Sequence, residues 1–169
     1  IILDRAACEF DYRDSIFKRK LKDTLVITQI DLELSTRPRV KITYPALASF
    51  FHDHSVAEVT PQAVFDAVVS IRRSKLPDPS MEPNAGSFFK NPIVSAGLAD
   101  SLVERYPALP CYVQEGGRVK VSAAWMIDHC GWKGYRRDHL GVHGQHSLVL
   151  VNYGNNSGQQ LLCLADDIS

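Results

Sequence analysis

The sequence has no C-x-x-C pair: Cys8, Cys111, Cys130 and Cys163 are scattered singly. That argues against a zinc site and against a small disulfide scaffold, and it points to a reduced, cytoplasmic setting. No apolar run approaches the roughly 20 residues that cross a bilayer, and no basic, apolar, small-residue signal opens the chain, so a soluble protein without a membrane partner is expected. Net charge is absent too, with nineteen basic residues against nineteen acidic ones. Nothing draws nucleic acid or an anionic surface globally, and any anion recognition has to be local. Also missing are G-x-G-x-x-G after a strand, G-x-x-x-x-G-K-[ST], the G-x-S-x-G nucleophile elbow, internal repeats and low-complexity stretches.

What remains is a chain of 169 residues, 45% apolar, enough for one medium domain or two small ones. It starts at Ile1 rather than Met, and its helix-like end "SGQQLLCLADDIS" stops without a capping glycine, so a piece of a longer polypeptide is expected. "DTLVITQIDLEL", residues 23–34, alternates as a strand, and "RVKITY", 39–44, reads as a second after the turn "STRP". Thr60 and Pro61 open a helix whose stripe is Val64, Ala67, Val68 and Ile71. The proline-rich "LPDPSMEPN", 76–84, reads as an exposed linker or a crossing loop and is the best boundary.

Beyond it, Ser95 caps a helix carrying Leu98, Leu102, Val103 and Tyr106, and Ser122 caps another through Trp125, Met126 and Ile127 to Gly131. Strands are expected at "CYVQ", "GRVKV" and "SLVLVN". Short strands mixed with helices that do not alternate strictly give an α+β class rather than a doubly wound sheet.

"NAGSFFKNP", residues 84–92, sets a lone hydroxyl beside two aromatics and a cation. Gly86 frees the backbone to present Ser87 into a pocket that Phe88 and Phe89 dry on one side; the alternative is a turn serine bonding its own backbone. In "YRDSIFK", Arg13 held by Asp14 offers a fork for a carboxylate or phosphate, or is a solvated charge pair. Tyr44 before Pro45 is a candidate loop anchor, and Lys75 at a helix end would complement the dipole. His143 and His146, near Asp138 and His139, superficially resemble a metal cluster, but their segment precedes a strand and the spacing of three puts them on no common face, so ordinary loop histidines and no metal site are expected.

In order, "YRDSIFK", "ITYPAL", "RRSKLPDP", "NAGSFFKNPIVS", "WMIDHCGWKG" and "GVHGQHSLVLVN" resemble the UDP-N-acetylenolpyruvoylglucosamine reductases (MurB) over nearly the whole chain. The first and fourth motifs are the most specific. The resemblance implies a cytoplasmic, monomeric flavoenzyme of peptidoglycan synthesis that uses FAD and NADPH to reduce UDP-N-acetylglucosamine enolpyruvate to UDP-N-acetylmuramate. Residues 1–76 would be the end of an FAD-binding, PCMH-like domain and 77–169 an α+β substrate-binding domain, with most of the flavin site upstream and this chain inactive by itself.

Hydride addition to the enol ether leaves charge on the neighbouring carbon and its carboxylate. Arg13 looks like the family's stabilising cation and Ser87 like its proton donor. By the same resemblance Tyr44 closes over the substrate, Lys75 and Asn91 contact the diphosphate-sugar or its carboxylate, and Gln145 adds a polar contact. The family's second acid, a glutamate near its carboxyl terminus, has no counterpart before Ser169, and His146 stands where a glutamine is common. The alternative from another class is a non-catalytic module that binds a UDP-sugar or another anionic ligand.

Overall fold

Hydroxyl side chains start four of the five helices in the computed structural model, which describes residues 1–54 and 58–169. Two units divide the chain, Ile1–Arg39 and Val40–Ser169.

The first unit is held by turns and ion pairs rather than by ladders. Arg19 donates to Glu9 and to Asp14, both at 2.6 Å, and Ile16–Lys18 makes one 3-10 turn. Asp11 and Asp14 pair across a tight turn whose Arg13 lies at φ 52. Neither expected strand forms. Residues 25–34 carry no ladder, and Val26, Ile30, Leu32 and Leu34 are more than 70% exposed; residues 39–43 are unpaired as well, and Tyr44 caps a helix instead. Alternation makes a strand only where a neighbour satisfies its amides and carbonyls, and no described element does so here.

The second unit begins with α1, Pro45–Asp53, which the sequence reading missed, and α2, Pro61–Lys75. Thr60 accepts from Ala63 N at the start of α2, as its sequence predicts. The two helices bury Leu47, Phe51 and Ala67, with Val64 and Ile71 packed on them, whereas Val68 stays half exposed.

After an ordered turn around Asp78, two antiparallel sheets follow. One has the order β1 (Asn84–Ser87), β7 (Val149–Asn152), β6 (Leu140–Val142), β5 (Arg136–Arg137); the other is β2 (Ile93–Ser95), β4 (Arg118–Val121), β3 (Cys111–Val113). The expected strands are β3, β4 and β7, and the four not foreseen are two to four residues long, too short to show a period. The α+β class with antiparallel sheets holds.

α3, Ala96–Arg105, and α4, Ala123–His129, start at Ser95 and Ser122 as expected. On α3 the buried contact is Ala99, while Leu98 and Val103 face outward. α5, Gly158–Ile168, opens on a capping box in which Ser157 and Gln160 bond reciprocally. Its Leu164 and Ala165 close over Leu150 and Val142 together with Ile127, with Phe88, Phe89 and Trp132 at the border. Val149, Leu150 and Val151 are 0% exposed, as suits a strand covered on both faces. The sheet passes so close to Tyr135 at Gly141 that a Cβ there would collide with the Tyr135 carbonyl. No described helix is long and apolar enough to cross a membrane.

Candidate functional site

Ser87 ends β1 opposite Val149, just after a break in register. Gly86 sits at φ 61, and Asn84 Oδ1 accepts from its amide at 2.9 Å. This is a bulge stapled by an Asx turn, a device that re-aims the next side chain. The freedom expected of Gly86 is used here. The Phe88 amide then returns to the ladder through Leu148 O at 2.8 Å.

Ser87 opens onto a cleft of about 500 Å³. Leu47 of α1 and Val68, Ile71 and Leu76 of α2 make its apolar wall. The expected drying by Phe88 and Phe89 is corrected: these rings stack edge to face at 5.3 Å and pack on the Leu150 core instead. Ser87 is itself exposed, so the hydroxyl is accessible to solvent.

Tyr44 and Lys75 line the same cleft, together with Arg72 and His146. Tyr44 is at the N-cap of α1, where its carbonyl accepts from Leu47 and Ala48 and its exposed ring is left over the cleft. Arg72 and Lys75 lie three apart in the last turn of α2 and therefore share a face. No carboxylate is among the described lining side chains. An acid-free cleft with two cations, two hydroxyls and an apolar wall suits an anion that also carries a less polar body.

The remaining expected residues fall elsewhere. Asn91 Oδ1 accepts from the Ala123 amide at 2.9 Å and so holds the start of α4; it does not line the cleft. Gln145 is exposed and borders a second cleft of about 230 Å³ with Trp125, Asp128 and Lys133. Arg13 belongs to the Ile1–Arg39 unit, where Lys18 Nζ donates to its carbonyl at 3.0 Å. The carboxylate of Asp14 accepts from Arg19 and from the Ser15 amide. A left-handed arginine is uncommon, and such backbone costs on the order of 1 kcal/mol or more.

The reading of His146 as an ordinary loop histidine missed its position. It borders both clefts, and its Nδ1 is buried with no hydrogen-bond partner. Burial holds its pKa below the ordinary value, and the nearby His143 and Lys75 push the same way. Arg72 was missed as well, although "RRSK" already places it one helical turn from Lys75. No group of three metal-ligating side chains occurs among the described residues.

Residues 78–169 match the family described as UDP-N-acetylenolpyruvoylglucosamine reductase, C-terminal domain. Curated relatives named UDP-N-acetylenolpyruvoylglucosamine reductase match nearly the whole chain. The one from Chromobacterium violaceum is 47% identical over 163 residues, 96% of this chain and 48% of the relative. For Pseudomonas aeruginosa the figures are 44% over 165 residues, 98% and 48%; for Shewanella oneidensis, 46% over 158, 94% and 45%. The chain spans about half the length of the curated relatives it matches. With a matching domain over more than half of its residues, the chain belongs to the UDP-N-acetylenolpyruvoylglucosamine reductase family.

Proposed function

We propose that this chain is the substrate-binding part of a cytoplasmic, monomeric reductase that converts UDP-N-acetylglucosamine enolpyruvate to UDP-N-acetylmuramate in peptidoglycan synthesis. The observation that supports it most is that Ser87, Tyr44 and Lys75 line one acid-free cleft. Lys75, joined by Arg72, would hold the diphosphate; an ammonium on a flexible stem suits a phosphate charge. Tyr44, exposed at the rim, would close on the sugar nucleotide.

Two-electron reduction of an enol ether leaves negative charge on the carbon beside the carboxylate. The Ser87 hydroxyl, carried by the bulge, would deliver a proton to that carbon, while Arg13 would spread the carboxylate's charge. A serine is a weak acid and works in this role only against a strongly basic carbon in a dry site. Since Ser87 is solvent-accessible in this chain, the dryness would come from the seated substrate and from the rest of the enzyme. Asn91 acts in this scheme by fixing the start of α4, and Gln145 by lining the neighbouring cleft; either could add a polar contact to an extended ligand.

FAD and NADPH are the cofactors the family implies. The larger cleft, with two cations, two hydroxyls and an apolar wall, suits a sugar nucleotide better than a flavin. On the family resemblance, residues 1–76 are assigned to the end of an FAD-binding domain and 77–169 to the substrate domain. When bound, flavin supplies the hydride.

The test joins this chain to the amino-terminal half of the Pseudomonas aeruginosa reductase and follows NADPH oxidation driven by the enolpyruvyl substrate. The hybrid should turn over, and Ser87→Ala in it should lower kcat by about 10²–10⁴-fold with substrate affinity kept. A fully active Ser87→Ala hybrid would exclude the proton-donor role. The chain by itself should purify colourless; a stoichiometric flavin spectrum would overturn the domain assignment.

A further inference from the structure

His146 joins two clefts that otherwise share no lining residue. One ring nitrogen, Nδ1, is buried without a hydrogen-bond partner. The charges that face the ring come from several elements. Lys75 and Arg72 approach from α2 with no lining carboxylate to offset them. His143, on the same loop, leans toward Glu82 at 3.9 Å. In the second cleft Asp128 is tied to Lys133 at 3.0 Å, so that pair brings little net charge. Tyr44 and Ser87 contribute hydroxyls only.

We propose that His146 is a proton-linked anion contact: it takes up a proton as a diphosphate-class ligand seats beside Lys75 and Arg72, so the cleft binds such ligands more tightly as pH falls.

The cause is electrostatic. In the empty cleft a third positive charge beside two cations is disfavoured, and burial acts in the same direction. A diphosphate cancels the repulsion and adds an acceptor for the imidazolium. The proton affinity of the ring therefore rises on binding, and by linkage ligand affinity rises by the same factor as protons become available. The window runs from the bound-state pKa down to the free-state pKa, which lies below roughly 6.5. Above the upper limit the ring is neutral in both states and adds nothing.

This rests on the reading that the cleft takes a UDP-sugar, and the experiment separates the two. UDP-N-acetylglucosamine serves as the probe because both of its phosphates are esterified and keep their charge from pH 5.5 to pH 8. Calorimetry on this chain should show binding at pH 8 that strengthens several-fold at pH 5.5, about tenfold being the limit for a shift of one pKa unit, with proton uptake across buffers of different ionisation heat. His146→Gln should lose the pH response, whatever its affinity at pH 8. NMR titration of the His146 ring in the unmutated chain gives a second readout, and its pKa should rise when ligand is added. Binding with the same pH profile in His146→Gln, or a ring pKa indifferent to ligand, overturns the proposal and leaves the cleft reading standing; absence of binding at every pH removes both.

Discussion

Ser87, Lys75 and His146 show how little a residue type says until its neighbours are known. A serine after glycine is most often a turn residue, yet here the bulge at Gly86 turns it into a cleft lining, and the ladder resumes immediately at Phe88. Arg72 and Lys75 are exposed and separately would pass as solvated charges; on one face of α2 above an acid-free cleft they form a local positive site. Replacing both with glutamine should weaken binding of UDP-N-acetylglucosamine at least tenfold and flatten its salt dependence, with thermal stability unchanged, as isothermal titration at two ionic strengths would read. His146 gives a stability prediction as well. Its folded-state pKa is depressed, so its contribution is present above roughly pH 6.5 and is lost as pH falls toward the folded-state value. His146→Gln should therefore unfold less readily in acid, relative to its own neutral-pH stability, in denaturant titrations at pH 7.5 and pH 5.

Among the elements, legibility tracks length and capping. α2, α3 and α4 were readable because Thr60, Ser95 and Ser122 announce them, and α5 because its segment reads as helix-like; each runs at least seven residues. α1 was missed because its cap is Tyr44, which bonds the first turn through its carbonyl and not through a side chain. β2, β5 and β6 are two or three residues long, so neighbours and not sequence period decide them. α5 separates local from tertiary stabilisation. Ser157→Ala removes half of a capping box and should cost about 1 kcal/mol. Leu164→Ala opens a cavity against Leu150 and Val142 and should cost about 2–5 kcal/mol, so in urea unfolding the second change should outweigh the first.

At the scale of the whole molecule, the two units differ in what satisfies their backbones. Strand β7 buries Val149, Leu150 and Val151 and is bonded on both sides, whereas residues 25–34 show apolar side chains to solvent with no ladder. Amide exchange should therefore be slowest at Val149–Val151 and fast throughout 25–34 in this chain; protection of 25–34 on joining it to the remaining half of a relative would show that the missing ladder is supplied there. Composition, caps and the ordered motifs determined by themselves the α+β class, four of the helices, three of the strands and the family, because those signals are carried by short-range chemistry. Only the tertiary structure decided which side chains share the cleft: it brought in Arg72 and His146, assigned Asn91 to the start of α4 and Gln145 to the second cleft, and withheld pairing from the alternating segment. The reason is that a ladder and a cleft both require partners distant in sequence, and no local pattern specifies which distant residues will arrive.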